Sequence, residues 1–380
     1  MRVGYIAVRA QPFDGWGRYT VGLVRAAQAQ GIEPVLVTAE ADVDPALDGI
    51  ERHPLLPRLF RGPLAGPRTL SARFVLRRVL ATCDVVHGIV EPYGPLIAAS
   101  VPGTTPYVQT AHGTWAVEPL RSRLRRWFYS GALRRADLIL FQSAYTRDQL
   151  ARFVPLPRHL VLPGGVDPAD LAPKSAVELP PWSRQGPLVL SVGSIRERKG
   201  HHIGVEAVAR ASDDFPSLQH VIIGGADSPR YGDALREQAA RLGLAGRLHL
   251  LGRVSPEELA AWYARADVFM LLPVNRGGTF EGLGLAYLEA GACRTACIAT
   301  RDCGAAEAVI DGETGLTVPQ DDPVAAAEAL RRLLAEPDLR RRLGDGGRRH
   351  AVRLSWTHLA EKLGGLYLDL VAARRLAGAR

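Results

Sequence analysis

Two stretches of this chain begin in the same way, and this repetition limits the folds open to it. The apolar runs Val3–Val8 and Leu188–Val192 each lead into a turn that contains glycine and then into a helical pattern. A buried strand, a tight turn and a helix in that order are typical of a parallel sheet covered by helices. We therefore expect an α/β protein of two Rossmann-like domains, whose parallel sheets face a central cleft and whose ligands bind beyond the carboxyl ends of the strands.

The length and the distribution of proline predict where these domains begin and end. A chain of 380 residues is longer than one typical domain. A proline-rich segment over 169–187 predicts a linker between an N-terminal domain, residues 1–168, and a C-terminal domain, residues 188–355. A last helical pattern covers residues 356–380. Within the first domain we expect a loop over Ala10–Gly17 before the first helix and an irregular excursion over residues 41–70.

Composition indicates a globular protein and excludes several other classes. Hydrophobic residues make up 47% of the chain and charged residues 23%. No apolar run approaches the roughly 20 residues that span a bilayer. We expect no secretion signal, since the pattern at the start of the sequence lacks a basic region followed by a longer apolar stretch. The four cysteines match no common zinc spacing, so we expect buried free thiols and a cytoplasmic location.

The net charge of +8 comes almost entirely from arginine, since lysine occurs only at positions 174, 199 and 362. The densest basic stretch, Arg121–Arg135, mixes arginine with Trp127, Phe128 and Tyr129. Such a stretch favours peripheral contact with an anionic membrane, on its inner face. The alternative is a solvated helix face with an aromatic inner edge. No nucleic-acid recognition motif accompanies the charge, so we expect no nucleic-acid partner.

The segment after Phe280 combines glycines with two carboxylates. Its glycines lead into an apolar run that predicts a buried helix over Leu283–Ala292. A glycine turn that opens a helix offers backbone N–H groups and the positive end of the helix dipole, so we expect Leu283 and Gly284 to hold a phosphate. Glu289, about two turns into the helix, would reach the attached sugar, and Glu281 a second sugar. The alternative is that the glycines only permit tight packing.

The chain resembles the family-four glycosyltransferases of GT-B fold. The resemblance rests first on Glu281 with its following Gly-Leu-Gly-Leu and Leu-Glu-Ala, and on Val192-Gly193 followed after five residues by Lys199-Gly200. The other matching pieces, in family order, are the Gly15/Gly17 loop, Ala111-His112-Gly113-Thr114, Ala136-Asp137-Leu138-Ile139, Leu162-Pro163-Gly164-Gly165-Val166-Asp167, Leu251-Gly252-Arg253-Val254 and Asp311-Gly312-Glu313-Thr314-Gly315-Leu316. The family's last helix crosses back onto the first domain, which we expect of residues 356–380.

The resemblance implies that a nucleoside diphosphate sugar is the co-substrate and that cations bind its diphosphate. Lys199 follows a strand and a glycine turn, where a lysine points at a phosphate, and with a nearby arginine it would stabilise the leaving group. The family usually carries that arginine at position 194, where this chain has Ser194. We predict that Arg198 replaces it, with Arg196 as the alternative.

The resemblance also assigns donor contacts to residues outside this cluster. His112 follows a predicted strand and would contact the hexose. The N–H groups of Gly15 and Gly17 would approach the diphosphate, and Arg253 and Val254 would meet the base. A nicotinamide-dependent oxidoreductase on a similar sheet is an alternative function. No GxGxxG fingerprint is present after Val8, which argues against it.

The resemblance implies a hexosyltransferase that retains the anomeric configuration, with the leaving phosphate helping to deprotonate the acceptor hydroxyl of a glycan, lipid or small molecule. No DxD pair follows an apolar strand, so we expect neither a metal ion nor another cofactor. A second departure from the family lies at Arg294 and Ala296, where glycine and proline are usual, and predicts a locally altered loop. The alternative function is a catalytically silent partner subunit that binds a nucleotide sugar, against which the intact acidic and basic residues argue.

Overall fold

The computed structural model describes residues 1–12, 14–57, 65–172, 177–226 and 228–378, apart from the side chains of residues 65–71 and 378. The chain divides into two compact units: Met1–Gly165 with Trp356–Arg380, and Val166–Ser355. The first unit therefore ends at residue 165 rather than 168. The expected linker, 169–187, is assigned to the second unit, and its residues 173–176 lie outside the described ranges.

The first unit contains alternating strands and helices, which we number in chain order. Its elements are β1 (Arg2–Ile6), α1 (Gly15–Ala29), β2 (Glu33–Val37), β3 (Glu51–His53), α2 (Ala65–Leu80), β4 (Val85–Gly88), α3 (Gly94–Ser100), β5 (Tyr107–Ala111), α4 (Thr114–Val117), α5 (Arg123–Arg135), β6 (Leu138–Phe141), α6 (Ala144–Ala151) and β7 (His159–Val161).

These strands form one parallel sheet in the order β3-β2-β1-β4-β5-β6-β7. The central strands are buried on both faces, as their continuous apolar sequences predict. The strand order reverses between β1 and β4, the place where such sheets bind ligands. The excursion expected over residues 41–70 is partly regular: β3 pairs with β2, and α2 begins at Ala65, while residues 58–64 lie outside the described ranges.

The first helix begins earlier than we expected. Asp14 has an extended backbone and its side chain accepts a hydrogen bond from Gly17 N at 2.8 Å, so it caps a helix that starts at Gly15. The expectation of a loop through Gly17 was wrong, because two glycines near an aspartate suggest a turn while the aspartate is a strong helix cap.

The helix α14 (Trp356–Gly378) belongs to the first unit although it ends the chain. The Trp356 ring packs so closely against α1 that a Cβ atom on Gly22 would lie 2.2 Å from it. Tyr367 hydrogen-bonds through its hydroxyl to Nδ1 of the buried His87 at 2.6 Å, and the Nε2 atom of that ring lies 2.7 Å from Thr110 Oγ1. Burial lowers the pKa of His87 to about 3, so this histidine is a neutral structural link.

The second unit repeats the alternation of strands and helices. Its elements are β8 (Leu188–Val192), α7 (His201–Ala211), β9 (Gln219–Ile223), α8 (Pro229–Arg241), β10 (Leu248–Gly252), α9 (Pro256–Arg265), β11 (Val268–Met270), α10 (Leu285–Ala292), β12 (Ala296–Thr300), α11 (Ala305–Ala308), β13 (Gly315–Val318), α12 (Pro323–Ala335) and α13 (Pro337–Arg353).

The second sheet is also parallel, with the order β10-β9-β8-β11-β12-β13. Its order reverses between β8 and β11. Apolar side chains of the strands and of α7 and α12 form its core, as Val189, Ile222, Val208 and Leu330 illustrate. The segment before β8 is fastened to this unit, since the Trp182 ring stacks on His249 with centroids 3.5 Å apart.

The departure at Arg294 leaves the backbone geometry of a glycine in place. Arg294 has φ +62°, and Thr295 N donates to Ala290 O at 3.0 Å, which is the left-handed ending that helices commonly adopt with glycine. The Arg294 side chain forms an ion pair with Asp345. Helix α10 therefore has the common left-handed ending, with arginine at the position where glycine is usual.

Across the described ranges, we find no helix with the length and apolar character that a membrane span requires.

Candidate functional site

The predicted diphosphate-binding residues lie at the reversal point of the second sheet. Arg198 and Lys199 are in a short 3-10 turn, Glu197–Lys199, that follows β8, and Glu281 is in the segment that follows β11. Since β8 and β11 are neighbours in the sheet, both segments leave its carboxyl edge side by side. This is the position at which open α/β sheets bind ligands.

Close backbone contacts hold these two segments together. Val274 N donates to Arg198 O at 2.9 Å. Gly200 has φ +68°, and a Cβ atom there would lie 1.7 Å from Leu272 O. Only glycine fits this crossing without displacing the backbone, so the glycine after Lys199 has a packing reason as well as a conformational one.

Arg198, Lys199 and Glu281 form one partly buried charge cluster. Lys199 Nζ donates to Glu281 Oε2 at 2.7 Å, and Arg198 Nη1 donates to the same oxygen at 3.0 Å. Arg198 Nη1 also lies 3.3 Å from Phe280 O. One carboxylate therefore faces two cations, which leaves the cluster with an excess of one positive charge.

The pKa shifts in this cluster have opposing causes. Burial pushes the pKa of Glu281 up, but the charges of Lys199 and Arg198 outweigh it and hold that pKa at about 2. Burial lowers the pKa of Lys199, although Glu281 raises it in part. Glu281 is thus an ionised hydrogen-bond acceptor at neutral pH, and the contribution of this pairing to stability is lost as pH falls from 4.5 through about 2.

The two candidate arginines differ in their contacts. Arg198 hydrogen-bonds to Glu281, as described above, whereas Arg196 lies just before the turn, half-buried, and its charge lowers the pKa of Lys199. At the site of the departure, Ser194 O lies 3.2 Å from Nε2 of the buried His201. The structure therefore places Arg198 in the charge cluster and leaves Arg196 close enough to influence it.

The helix α10 starts at Leu285, two residues later than we predicted. Gly284 precedes it with φ +85°, a left-handed conformation that ends the loop, and Leu283 is buried. The preceding loop is fixed by Gly304 N, which donates to Glu281 O at 2.9 Å. Glu289 is consequently the fifth residue of the helix, little more than one turn from its start rather than two.

Glu289 is buried and has a partner that the sequence did not suggest. The hydroxyl of Tyr263, on α9, donates to Glu289 Oε2 at 2.6 Å, and this tyrosine is itself fully buried. Tyr263 lies in an ordinary amphipathic helix, so no local pattern identifies it. It orients the carboxylate predicted to bind the ribose.

Arg253 and Val254 follow β10, and the Arg253 side chain reaches the end of the neighbouring strand. A Cβ atom on Gly225, just after β9, would lie 2.9 Å from Arg253 Nε. Arg253 is exposed and Val254 half-buried. Both residues therefore lie at the same carboxyl edge as Lys199.

In the first unit, Gly15 and Gly17, whose N–H groups we expect to approach the diphosphate, differ in their surroundings. Gly15 is the first residue of α1, and a Cβ atom there would meet nothing within 4 Å. The N–H group of Gly17 is occupied by the Asp14 side chain. In this structure the Gly17 N–H caps the helix, and its contact with a diphosphate stays a prediction.

His112 directly follows β5, at the carboxyl edge of the first sheet. Its Nε2 atom lies 2.7 Å from Ile89 O, and since a carbonyl only accepts, Nε2 carries the proton. Burial lowers the pKa of His112 to about 4, so the ring is neutral with Nδ1 as its acceptor atom. The ring also packs edge-on against Tyr19, with centroids 4.6 Å apart.

The four cysteines are free thiols, of which Cys293 is half-buried and Cys83, Cys297 and Cys303 are buried. Burial raises the pKa of Cys293 to about 12 and that of Cys303 to about 11, so these thiols are unreactive. Among the described residues, no group of three or more His, Cys, Asp and Glu side chains is arranged to hold a metal ion.

Both halves of the chain match known glycosyltransferase families. The family described as Glycosyl transferases group 1 matches residues 180–350, and the one described as Glycosyltransferase Family 4 matches residues 13–170.

Two curated relatives are about one third identical to this chain over the aligned residues. The first is a GDP-mannose-dependent alpha-(1-6)-phosphatidylinositol monomannoside mannosyltransferase of Mycolicibacterium smegmatis, 34% identical over 288 residues, which is 72% of this chain and 73% of that protein. The second is a D-inositol 3-phosphate glycosyltransferase of Acidothermus cellulolyticus, 35% identical over 57% of this chain, a match that spans 49% of that protein.

Solved structures agree in fold. The sucrose-phosphate synthase of Thermosynechococcus elongatus superposes with a TM-score of 0.77 and 25% sequence identity, over 98% of this chain and 100% of that one. The predicted α/β GT-B architecture is thus confirmed by the two parallel sheets and by this neighbour. The chain belongs to the family-four, group 1 glycosyltransferases.

Proposed function

We propose that this glycosyltransferase moves a hexose from a nucleoside diphosphate sugar to a hydroxyl group, with retention of the anomeric configuration and without a metal ion. The observation that carries the proposal is the meeting of Arg198 and Lys199 on one oxygen of Glu281, at the reversal point of the second sheet. A diphosphate that enters this point meets two cations, and it competes with Glu281 for them.

The chemistry of the leaving group explains why two cations are useful. Cleavage of the sugar–phosphate bond leaves negative charge on the diphosphate, and fixed positive charge in a partly buried place stabilises that charge strongly. Glu281, released from one or both cations, is an ionised acceptor for hexose hydroxyls. Within the proposal, the leaving phosphate helps to deprotonate the acceptor, and His112 contacts the hexose through Nδ1.

The names of the relatives suggest an acceptor class. One relative acts on a phosphatidylinositol monomannoside and the other on D-inositol 3-phosphate. These acceptors share a phosphorylated inositol, one in a lipid and one in a soluble molecule. We therefore put inositol-containing acceptors first among the glycan, lipid and small-molecule hydroxyls to be tried.

A donor screen followed by product analysis tests the proposal. One nucleotide among UDP-, GDP-, ADP- and dTDP-sugars should raise the melting temperature, since a ligand at 100 times its Kd adds about 2.7 kcal/mol to stability. Incubation with acceptors should then give a product whose anomeric configuration, read by NMR, equals that of the donor. The rate should persist after dialysis against EDTA. Binding without transfer to any acceptor, and without donor hydrolysis, would favour a catalytically silent partner subunit.

The surface of α5 supports a further part of the proposal, peripheral contact with an anionic membrane. Leu124, Trp127 and Phe128 expose 71%, 69% and 53% of their surfaces, beside exposed arginines of the same helix. Phe74 on α2 is 70% exposed, and α3 packs against both α2 and α5. Exposed aromatic and basic side chains on one surface are typical of helices that lie on membranes. Free thiols suit the cytoplasmic side.

Replacing both Trp127 and Phe128 with serine should abolish co-sedimentation with vesicles that contain phosphatidylglycerol. The variant loses apolar burial in the bilayer, worth about 25 cal/mol for each Å², while its transferase activity on soluble acceptors should not change. Leu368→Ser, at an exposed apolar position on α14, is the matched control. Two results would contradict contact with an anionic membrane: the wild type sediments equally with neutral and anionic vesicles, or it sediments with neither kind.

A further inference from the structure

The carboxyl group of Glu91 is buried in the first unit beside His112. Glu91 opens a short 3-10 turn just after β4, at the carboxyl edge where the order of the first sheet reverses. Only 5% of the residue is exposed. Glutamate is rarely buried to this extent without a charged partner, so its contacts require an explanation.

Two of those contacts go to the turn that carries His112. Glu91 Oε1 accepts a hydrogen bond from His112 N at 2.6 Å and one from Gly113 N at 3.3 Å. Two residues earlier, Ile89 O accepts from the His112 ring. The segment from Ile89 to Glu91 therefore holds both the backbone and the ring of His112.

The second oxygen of this carboxylate has a different environment from the first. Glu91 Oε2 is buried and, within the described residues, has no hydrogen-bond partner. The titratable groups that face Glu91 are His112, on the loop after β5, and Tyr129, on α5. Burial raises the pKa of Tyr129, and the charge of Glu91 adds to this shift. Gly113, with φ +157°, begins the turn into α4.

We infer that Glu91 is a positioning residue for sugar transfer: by accepting both amide N–H groups, it holds the His112–Gly113 turn in the conformation that presents Nδ1 of His112 to the hexose. The inference rests on the proposed function of His112. A side chain that fixes the geometry of a reacting group changes turnover without contacting substrate, since a misplacement of about 1 Å can cost about a hundredfold in rate.

The protonation state of Glu91 gives the inference a pH signature. Burial raises its pKa to about 7, although backbone N–H groups lower it in part. The ionised carboxylate accepts the two hydrogen bonds more strongly, so turnover should rise with pH through about 7. Stability should move the other way: the folded state binds the proton more tightly, so the free energy of unfolding falls as pH rises from 4.5 to about 7.

Kinetics and pH profiles of two variants test this role. Glu91→Ala should lower kcat by about a hundredfold, with unchanged affinity for the free nucleoside diphosphate, which binds the second unit. Glu91→Gln keeps an acceptor oxygen, so it should recover part of kcat while losing the rise of kcat near pH 7. Glu33→Gln, an exposed carboxylate on β2, is the matched control and should leave kcat and its pH profile unchanged.

A second measurement does not depend on catalysis. Hydrogen exchange of the His112 and Gly113 amides should be faster in Glu91→Ala than in the wild type, whether or not an acceptor is known. Wild-type kcat and an unaltered pH profile in a folded Glu91→Gln, or unchanged exchange of both amides in Glu91→Ala, would overturn the inference. Absence of transfer by the wild type would instead overturn the proposed function and leave the exchange result to stand alone.

Discussion

Replacing Lys199 with alanine should lower kcat by about a hundredfold to a thousandfold, by analogy with the loss of one oxyanion-hole donor, worth about 2.7–4 kcal/mol. Lys199 Nζ lies in the charge cluster that we propose as the binding site of the leaving diphosphate, where its contact would strengthen as negative charge develops. Removing an interaction of this kind lowers kcat more than it raises KM. Steady-state kinetics at saturating donor measure the effect.

Parallel variants make this result interpretable. Arg198→Ala should lower kcat to a similar extent as Lys199→Ala, since both cations contact Glu281. A comparison of kcat in Arg198→Ala and Arg196→Ala decides which arginine replaces the one absent at Ser194. Lys362→Ala removes an exposed lysine of α14 and should be silent. Thermal unfolding of each variant separates lost catalysis from lost folding. Near-normal turnover in folded Lys199→Ala and Arg198→Ala would show that these cations do not stabilise the leaving group.

Replacing Glu289 with alanine should weaken binding of the free nucleoside diphosphate by about tenfold to 150-fold. This range corresponds to about 1.5–3 kcal/mol for a hydrogen bond that involves a charged group. The structure holds the Glu289 carboxylate through Tyr263, so the ribose would meet an already oriented acceptor. Isothermal titration with UDP and GDP measures the change.

Two further variants distinguish ribose recognition from a packing role. Tyr263→Phe removes only the orienting hydroxyl and should weaken nucleotide binding less than Glu289→Ala does. Glu281→Gln should lower turnover while leaving nucleotide affinity equal or higher, because it removes the anion that occupies Arg198 and Lys199. Unchanged affinity for both nucleotides in Glu289→Ala would refute the assignment.

The sequence predicted the fold well because hydrophobic patterns and glycine turns mark the strand ends directly. It also indicated that Lys199 follows a strand and that Glu281 lies just before a helix. It did not show that β8 and β11 are neighbours, since two strands separate them along the chain and only the folded sheet brings them together. The contact of Lys199 with Glu281 therefore needed the structure.

The residues that sequence reasoning missed have a common physical cause. Glu91 stands beside a proline in a short connection, where acids are usually solvated, and its burial follows from the packing of that turn against the loop after β5. Tyr263 has no local signal because its partner is 26 residues away. The predicted start of α1 was later than the observed one, because Gly15 and Gly17 suggested a turn although Asp14 is a strong helix cap. Family resemblance, rather than any pattern, assigned the chemistry.

The position of α14 has a consequence for how the protein is made. The first unit lacks this helix until the second unit has been synthesised, because all of Val166–Ser355 precedes the helix in the chain. At about 5–20 residues per second, that interval is about 10 to 40 s. During this interval the surface around Gly22 and His87 is not covered by α14. The second unit has time to fold before α14 packs on that surface. The N-terminal segment of the first unit therefore depends on a helix synthesised after the second unit to cover this surface.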